Sequence, residues 1–499
     1  MMVMAHFLKF PSIHISCVTF KGCSAIAFFI PLIVRAIPEL IMGSYIVGFD
    51  TISYYVPVTW KWTRCGVSFW EFFGTAPMLY LLLSGLTLAG VPLVVTLKVL
   101  PPLLHGLLGF AIFQYATRGL AWPVRKAFFA SLLATLYFVG LRISWDMLRS
   151  ELGLLFLFIL LIMLRRCLSD FNWKWLSILT LFAVLLVLTH QLVSIVMFVI
   201  IFAMALERLI KRDYSFVKRI FFACLPAISL FLLTVYADFV VLPAYVDGVV
   251  ASGRSEWLNL MGYSSTANGI AYTVGFLFFC YFPILPFAAL GIQKFRGLEF
   301  KVWAFWCLIG ASLPFLFTLA PLSYRWFLLL AFPLAFFAVE GFEKLNSSLF
   351  KAVLAGFMVL LSFSFIFLPA EAAFPYFSLF PSYVPSSMLQ NSVPLSDCED
   401  VIKALSWMEN NVERDGVLLV HDAFYGWALL YADGVEIVRY GYALPENAAL
   451  AFSQDSYRRV YLIWWVSGEG WHGWASLPST FKEAYRSGRI AVYEFKVEA

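Results

Sequence analysis

The chain reads as a polytopic α-helical membrane protein with a C-terminal α/β domain, and three observations lead there. Of 499 residues, 62% are hydrophobic, 18% aromatic and only 13% charged, which is more apolar surface than a water-soluble core can hide. The apolar residues fall in runs separated by short basic loops, each run near the ~20 residues that a helix needs to cross a bilayer. Charge is also divided unevenly: residues 370–499 hold 9 Lys+Arg and 16 Asp+Glu, a net of −7, against +12 for residues 1–369. The tail is therefore expected to be a separate, acidic, soluble domain. The overall net charge of +5 is no argument for nucleic acid, because the basic residues sit in loops between apolar runs.

Taken in order, Met1 to Lys21 is short and weakly basic, and the run that follows, broken by Pro31 and Pro38, is expected to be a first span starting in the cytoplasm. Residues 35–97 are expected to form a large first outer loop, with Trp60, Trp62 and Trp70 among Lys61, Arg64 and Glu71, a mixture that suits the headgroup level. Residues 77–96 read as juxtamembrane and about 98–117 as the second span. Further spans near 126–141, 150–164, 175–189, 191–206, 220–237, 270–291, 302–320, 325–341 and 350–368 bring the expected count to about eleven. This register collects Arg165, Arg166, Arg208, Lys211, Arg212, Lys218 and Arg219 on one side, the positive-inside pattern. It predicts a multi-pass cell-membrane protein with a cytoplasmic N-terminus and an extracytoplasmic C-terminal domain.

Residues 370–394, with Pro369 just before and Pro375, Pro381, Pro385 and Pro394 within, read as a linker resting on the membrane. Residues 395–499 alternate helix and strand: a helix from Asp400 to Val412, then strands at Gly416–Val420, Val435–Val438, Val460–Trp465 and Ile490–Phe495. There is no GxGxxG to support nucleotide binding. The aromatic run Trp464, Trp465, Trp471, His472 and Trp474 suits either stacking on a sugar face or core packing. Eight cysteines without a CxxC pair suggest neither a zinc site nor a disulfide framework, although Cys65 and Cys398 both fall outside the expected spans.

The polar residues at the expected outer face are few. Glu39 and Asp50 lie in RAIPELIMGSYIVGFDTISYY (35–55); Arg142, Asp146, Arg149 and Glu151 lie at one later turn, Thr189, His190 and Gln191 at another, and Ser323, Tyr324 and Arg325 at a third. Charges at membrane depth are costly and usually paired or functional. Arg142 and Arg149 are expected to snorkel to the interface, Glu151 to pair with a neighbouring arginine, and His190 to be an interfacial histidine. Arg325 differs: it opens an apolar run with no acid near it in sequence, and a planar guanidinium there suits a phosphate.

These residues resemble a family. Arg35-Ala-Ile-Pro-Glu-Leu, Gly48-Phe-Asp50, Tyr54-Tyr55, Asp146, Thr189-His190 and Tyr324-Arg325 before LLLAFPLAFF are similar to multi-spanning glycosyltransferases of the superfamily C type, which include protein mannosyltransferases and aminoarabinose transferases. The resemblance covers the whole chain. It implies a polyprenyl-phosphate sugar donor, an acceptor that is a lipid-linked glycan or a protein, and a catalytic base at Asp50, with Asp146 as a second acid and Glu39 in reserve. The WWDYG run of oligosaccharyltransferases is absent, since Val466 follows Trp464-Trp465, so en bloc transfer to asparagine is disfavoured.

The chemistry fits the same residues. Transfer from a polyprenyl phosphate needs a base for the acceptor hydroxyl and a cation for the departing phosphate. Asp50 serves as the base; Arg325, with Tyr324 and His190, forms the phosphate site. No cofactor is expected, and a divalent metal is not favoured because an arginine already meets the leaving phosphate. The rival reading is a transporter or flippase, which predicts charged residues along the middle of the spans.

Overall fold

A computed structural model describes residues 20–496, apart from 170–171, 251–265, 317–323, 343, 382, 413–415, 433, 441–444, 457–458 and 467–476. Among the described residues six helices are long and apolar enough to cross a membrane: Phe20–Ile41, Leu93–Arg118, Gln191–Ile210, Tyr214–Asp238, Tyr324–Phe342 and Ser348–Phe367. The number rises to eight if two bent pairs each make one span. This is consistent with a polytopic membrane protein, with fewer spans by this criterion than the eleven expected. The expected juxtamembrane stretch holds a short apolar helix, Met78–Leu88, and the expected third and eighth spans are the bent pairs.

The breaks have a common chemistry. Val124–Leu136 meets Phe138–Asp146 at 56°, and Ile270–Tyr281 meets Leu285–Ile292 at 89°. A third interruption, at Leu330, separates Tyr324–Leu329 from Ala331–Phe342. Irregular backbone survives at membrane depth only where its polar groups are satisfied within the protein. His105 Nε2–H donates to the Thr135 carbonyl at 3.0 Å, the Tyr137 hydroxyl to the Cys280 carbonyl at 2.7 Å, and the Tyr281 hydroxyl to the Phe327 carbonyl. The other ring nitrogen of His105 meets Glu151 Oε1 at 2.6 Å, both side chains being 1% exposed. Glu151 therefore pairs with a histidine from another helix and not with the arginine beside it.

The first helix also runs on past its expected end. Phe20–Ile41 carries Pro31 and Pro38 inside it, so the expected outer loop begins at Met42 instead of Arg35. The chain then turns through Gly48 into a five-residue π-helical turn, Thr51–Tyr55, and the helix Val56–Arg64.

A mixed five-stranded sheet lies at the C-terminal end: β1 (Val417–Val420), β2 (Glu436–Arg439), β3 (Val460–Trp465), β4 (Phe481–Ser487) and β5 (Ile490–Phe495), in the order β2-β1-β3-β5-β4. β1 runs parallel to β2 and β3, and β5 antiparallel to β3 and β4. The fully buried strands VLLV and VYLIWW form the centre, as covered parallel strands do, while Lys482, Glu483 and Arg486 mark β4 as a charged edge. Trp464 and Trp465 are 3% and 1% exposed, which assigns them to the core and removes them as a sugar-stacking surface; Trp471, His472 and Trp474 lie outside the described residues. Cys65 is exposed and Cys398 buried, and both are free thiols; burial pushes the Cys398 thiol up to about 12.

The second half of the stretch expected as a linker, Val384 to Val393, is a buried joint, while most of 371–381 is exposed or half-buried. Val384, Met388, Leu389 and Val393 are at most 2% exposed. The Gln390 carbonyl accepts from the Gly48 amide and the Trp145 indole, both at 3.1 Å, and the Asn391 amide donates to the Ile46 carbonyl at 2.8 Å. From the other side, the helix Asp422–Tyr431 lays Gly426 against the Ile52 carbonyl so closely that a Cβ would collide with it. Ser53 donates to the Asp422 carbonyl at 3.2 Å. The loop holding Asp50 is thus clamped between the bundle and the C-terminal elements.

Gly48 is a second tight point of this clamp. Its φ is +100°, and an added Cβ would strike the Trp145 carbonyl and lie 3.1 Å from Asp146 Cβ. Gly48→Ala is expected to cost at least about 2 kcal/mol, read as a lowered thermal midpoint in detergent. Gly43→Ala, where φ is +61° and nothing lies within 4 Å, should cost about 1 kcal/mol.

Candidate functional site

Asp50 stands at the N-terminal end of the π turn, and the clamp fixes where it points. Its Oδ2 lies 3.7 Å from Arg325 Nη2, each side chain being 19% exposed. The acid that Arg325 lacks in sequence is supplied from the other end of the bundle's chain order. Their partial exposure leaves both groups open to a ligand, and a pair at this distance has room for one to displace the contact.

Around this pair the structure gathers residues from four other segments. Arg142 and Asp146, one turn apart on Phe138–Asp146, form a buried ion pair, 6% and 3% exposed. Arg142 Nε donates to the Tyr383 carbonyl at 3.0 Å, and Tyr383 stacks on Tyr324 with ring centroids 4.6 Å apart and planes 10° from parallel. The Tyr55 hydroxyl donates to the Asp146 carbonyl at 2.9 Å, and burial, reinforced by Asp50, holds that phenol well above the ordinary tyrosine range. Arg149 is within electrostatic reach of Asp50 and Arg325; its Nη1 donates to the Thr75 carbonyl at 2.9 Å. Arg142 therefore does not snorkel: its guanidinium is spent inside, on Asp146 and a backbone carbonyl. Asp238 is in turn within electrostatic reach of Arg149, so three guanidiniums face three carboxylates, and Asp50 and Arg325 are the part-exposed members of the cluster.

Beside Arg142 the aromatic rings continue as a wall. Tyr272 packs on Phe380 at 4.7 Å and Phe276 on Tyr383 at 5.0 Å between centroids, so an apolar surface leads from the charged cluster along the helix Thr266–Tyr281. Among the described residues no three His, Cys, Asp or Glu side chains come together as a metal-binding group.

Two expected site residues are placed elsewhere. Glu39 lies on the first helix, buried at 4% exposure, with Arg35 Nη1 at 3.0 Å on one oxygen and Lys98 Nζ at 3.2 Å on the other. Lys98 also donates to the Glu39 and Tyr45 carbonyls at 2.9 and 2.7 Å, and Arg35 Nε to the Ser144 carbonyl at 3.0 Å. Glu39 is thus the centre of a knot that supports the site from beneath, with neither oxygen free to act as a base. His190 N-caps the helix Gln191–Ile210, its Nδ1 accepting from the Val193 amide at 3.4 Å while Nε2 meets Ser150 Oγ at 3.0 Å. Both ring nitrogens are engaged, which gives His190 a structural account and leaves it no atom for a phosphate. Ser323, beside Tyr324, lies outside the described residues.

The structure adds Tyr55 and Tyr383 to the site, and converts Arg142 and Arg149 from interface charges into members of it. The Arg142–Asp146 spacing of four was the available signal, since residues one helical turn apart share a face.

The knot and the site differ in what a neutral replacement does. Glu39→Gln leaves fully buried Arg35 without its counterion, at an expected cost of about 3 kcal/mol, whereas Asp50→Asn in a half-open pair should cost about 1 kcal/mol or less. Thermal unfolding of the two purified variants checks the order, and a reversed order assigns the structural role to Asp50. Set against known protein families and curated proteins, the chain matches none of them.

Proposed function

We propose that the chain is a membrane glycosyltransferase that moves a sugar from a polyprenyl-phosphate donor to an acceptor hydroxyl on a lipid-linked glycan or protein, on the extracytoplasmic face. The observation that carries this reading is the meeting of Asp50 with Arg325, 3.7 Å apart and part-exposed at the mouth of the bundle, a base beside a phosphate-compatible cation. In this reading the donor phosphate draws Arg325 away from Asp50 and frees the carboxylate. Asp50 takes the acceptor hydroxyl proton as the oxygen forms its bond to the anomeric carbon. The bond from that carbon to the phosphate oxygen breaks on the opposite face, its electron pair stays on the phosphate, and Arg325 holds the added charge. One displacement inverts the anomeric centre. Tyr324 and Tyr383 wall the phosphate side, the rings of Tyr272, Phe276 and Phe380 suit the isoprenoid tail, and Arg142, bonded to Asp146 and the Tyr383 carbonyl, positions that wall.

One observation favours a second reading. The His105–Glu151 pair, each side chain 1% exposed inside the bundle, is an ionisable pair at membrane depth, which a transport path would use. Its bond to the Thr135 carbonyl at a helix break also gives it a structural task. Proteoliposomes that move a lipid-linked sugar between leaflets without transferring it would support transport over transfer.

The enzyme reading is tested with membranes, a labelled polyprenyl-phosphate sugar and an added acceptor. Asp50→Asn is expected to lower transfer by roughly 10²- to 10⁴-fold with donor binding nearly intact. Near-normal transfer by Asp50→Asn would remove the assigned base. Arg325→Lys keeps charge and loses the planar fork, so donor KM should rise more than acceptor KM; equal rises would mean a structural role. The orientation is checked by labelling an introduced cysteine at exposed Asn410, which should react from the extracytoplasmic side alone.

A further inference from the structure

The turn that carries Asp50 exposes a second residue beside it. Helical backbone runs unbroken from Phe49 to Arg64, and a π turn, whose hydrogen bonds close from i to i+5, comes round after about four to five residues. Tyr54 therefore stands on the same side as Asp50. At roughly 1.5 Å per residue the two are about 6 Å apart along the axis, and Tyr54 is 44% exposed.

Beyond Tyr54 the C-terminal elements bring up a charged pair. Ser53 donates to the Asp422 carbonyl at 3.2 Å, which fixes the start of the helix Asp422–Tyr431 against the turn. The Asp422 carboxylate accepts from Arg439 Nε on β2, the two side chains being 19% and 32% exposed. The Arg439 guanidinium also lies 5.7 Å from the centre of the Tyr425 ring and within electrostatic reach of Tyr54. Three segments far apart in sequence thus place two phenol rings and a part-exposed Asp–Arg pair about one sugar's width from Asp50.

Part of this arrangement has a structural account. An acid in the first turn of a helix complements its dipole, and the ion pair ties β2 to that helix. Neither task needs the pair to be exposed or to meet the turn that carries Asp50. A carboxylate only accepts and a guanidinium only donates; side by side they match adjacent hydroxyls, which do both. Phenol rings add an apolar face with a polar tip, suited to the C–H face of a sugar ring. A peptide is served less well: β2 is an edge of the sheet, but its exposed residues are Glu436 and Arg439, charges of the kind that blunt an edge against strand addition.

We propose that Tyr54, Tyr425, Asp422 and Arg439 form the acceptor subsite, and that the acceptor is a glycan. Its reacting ring sits at Asp50, and its next ring lies on Tyr54 with hydroxyls on the Asp422–Arg439 pair. The role as acceptor rests on the transferase reading of Asp50; the binding chemistry does not.

The test separates binding from transfer. Saturation-transfer-difference NMR on the purified full-length chain, in a detergent without sugar headgroups, uses methyl α-mannoside, methyl β-glucoside, methyl β-galactoside and chitobiose as probes beside a serine- and threonine-rich peptide. At least one sugar should receive saturation and the peptide none. Arg439→Gln and Tyr54→Ala should each lower that signal at least fivefold. Arg439→Lys keeps the charge beside Asp422, supports folding and should still lower it at least twofold. Lys482→Gln, exposed on the opposite edge of the sheet, should leave it unchanged. In the transfer assay Arg439→Gln and Tyr54→Ala should raise acceptor KM at least tenfold while donor KM stays within twofold. Sugar binding that the variants lose, with no transfer by the unaltered chain, would keep the glycan site and remove the transferase reading. Transfer with acceptor KM unchanged in both variants would remove the subsite and leave the enzyme standing. Saturation of the peptide alone, or of none of the sugars, would overturn the proposal.

Discussion

A carboxylate with two cations, buried where the first helix ends, holds the rest of the site in place. Arg35 and Glu39 are closed off from water, so they must be satisfied by each other, by part-exposed Lys98 and by backbone carbonyls. The result is directional: Lys98 fixes the carbonyls at Glu39 and Tyr45, and Arg35 fixes the carbonyl of Ser144, two residues before Asp146. One knot thereby sets both the exit of the loop that carries Asp50 and the helix end that carries Asp146. Removal of Glu39 takes the counterion from both cations, whereas removal of Arg35 or Lys98 still leaves the carboxylate one partner, so the knot turns on Glu39.

A second constraint comes from the opposite side. Gly48, Ile46 and Ile52 through backbone groups, and Ser53 through its hydroxyl, contact the 390–391 segment and the helix Asp422–Tyr431, so the loop has little freedom while the C-terminal elements are docked. The Asp50–Arg325 pair is framed on two sides and part-exposed. A loop of this kind would ordinarily be the most variable part of a membrane protein; here sequence-distant partners define it as tightly as a core element.

Much of the fold class was legible because it depends on composition, which any apolar run declares. The proximity of Asp50 and Arg325 was legible in outline, since one topological register put both at the same end of the bundle. Glu39 was misread because Pro31 and Pro38 look like an ending, whereas the helix continues through them with its neighbours packed around it. The bends at residues 137 and 282–284 were invisible, as an apolar stretch reads the same whether straight or broken, and a lone histidine such as His105 gives no hint that its partner lies in another helix. β4 was missed because FKEAYRS shows an edge strand's charges in place of a buried strand's apolar run. The 370–394 stretch was read from its prolines as a linker resting on the membrane, while the burial of its second half follows from partners far away in sequence.

The side chains that satisfy the broken helices have an order along the chain. His105 serves residue 135, Tyr137 serves residue 280 and Tyr281 serves residue 327, each donor preceding the carbonyl it covers. The Tyr376 hydroxyl serves residue 279 from later in the chain, where Pro283 removes the helical partner. During synthesis from the N-terminus, three of these four carbonyls meet a donor already made, and the fourth waits for a residue 97 positions on. The sharper of the two bends is thus completed only after residue 376 has been made, so the stretch before the C-terminal elements takes part in assembling the helices.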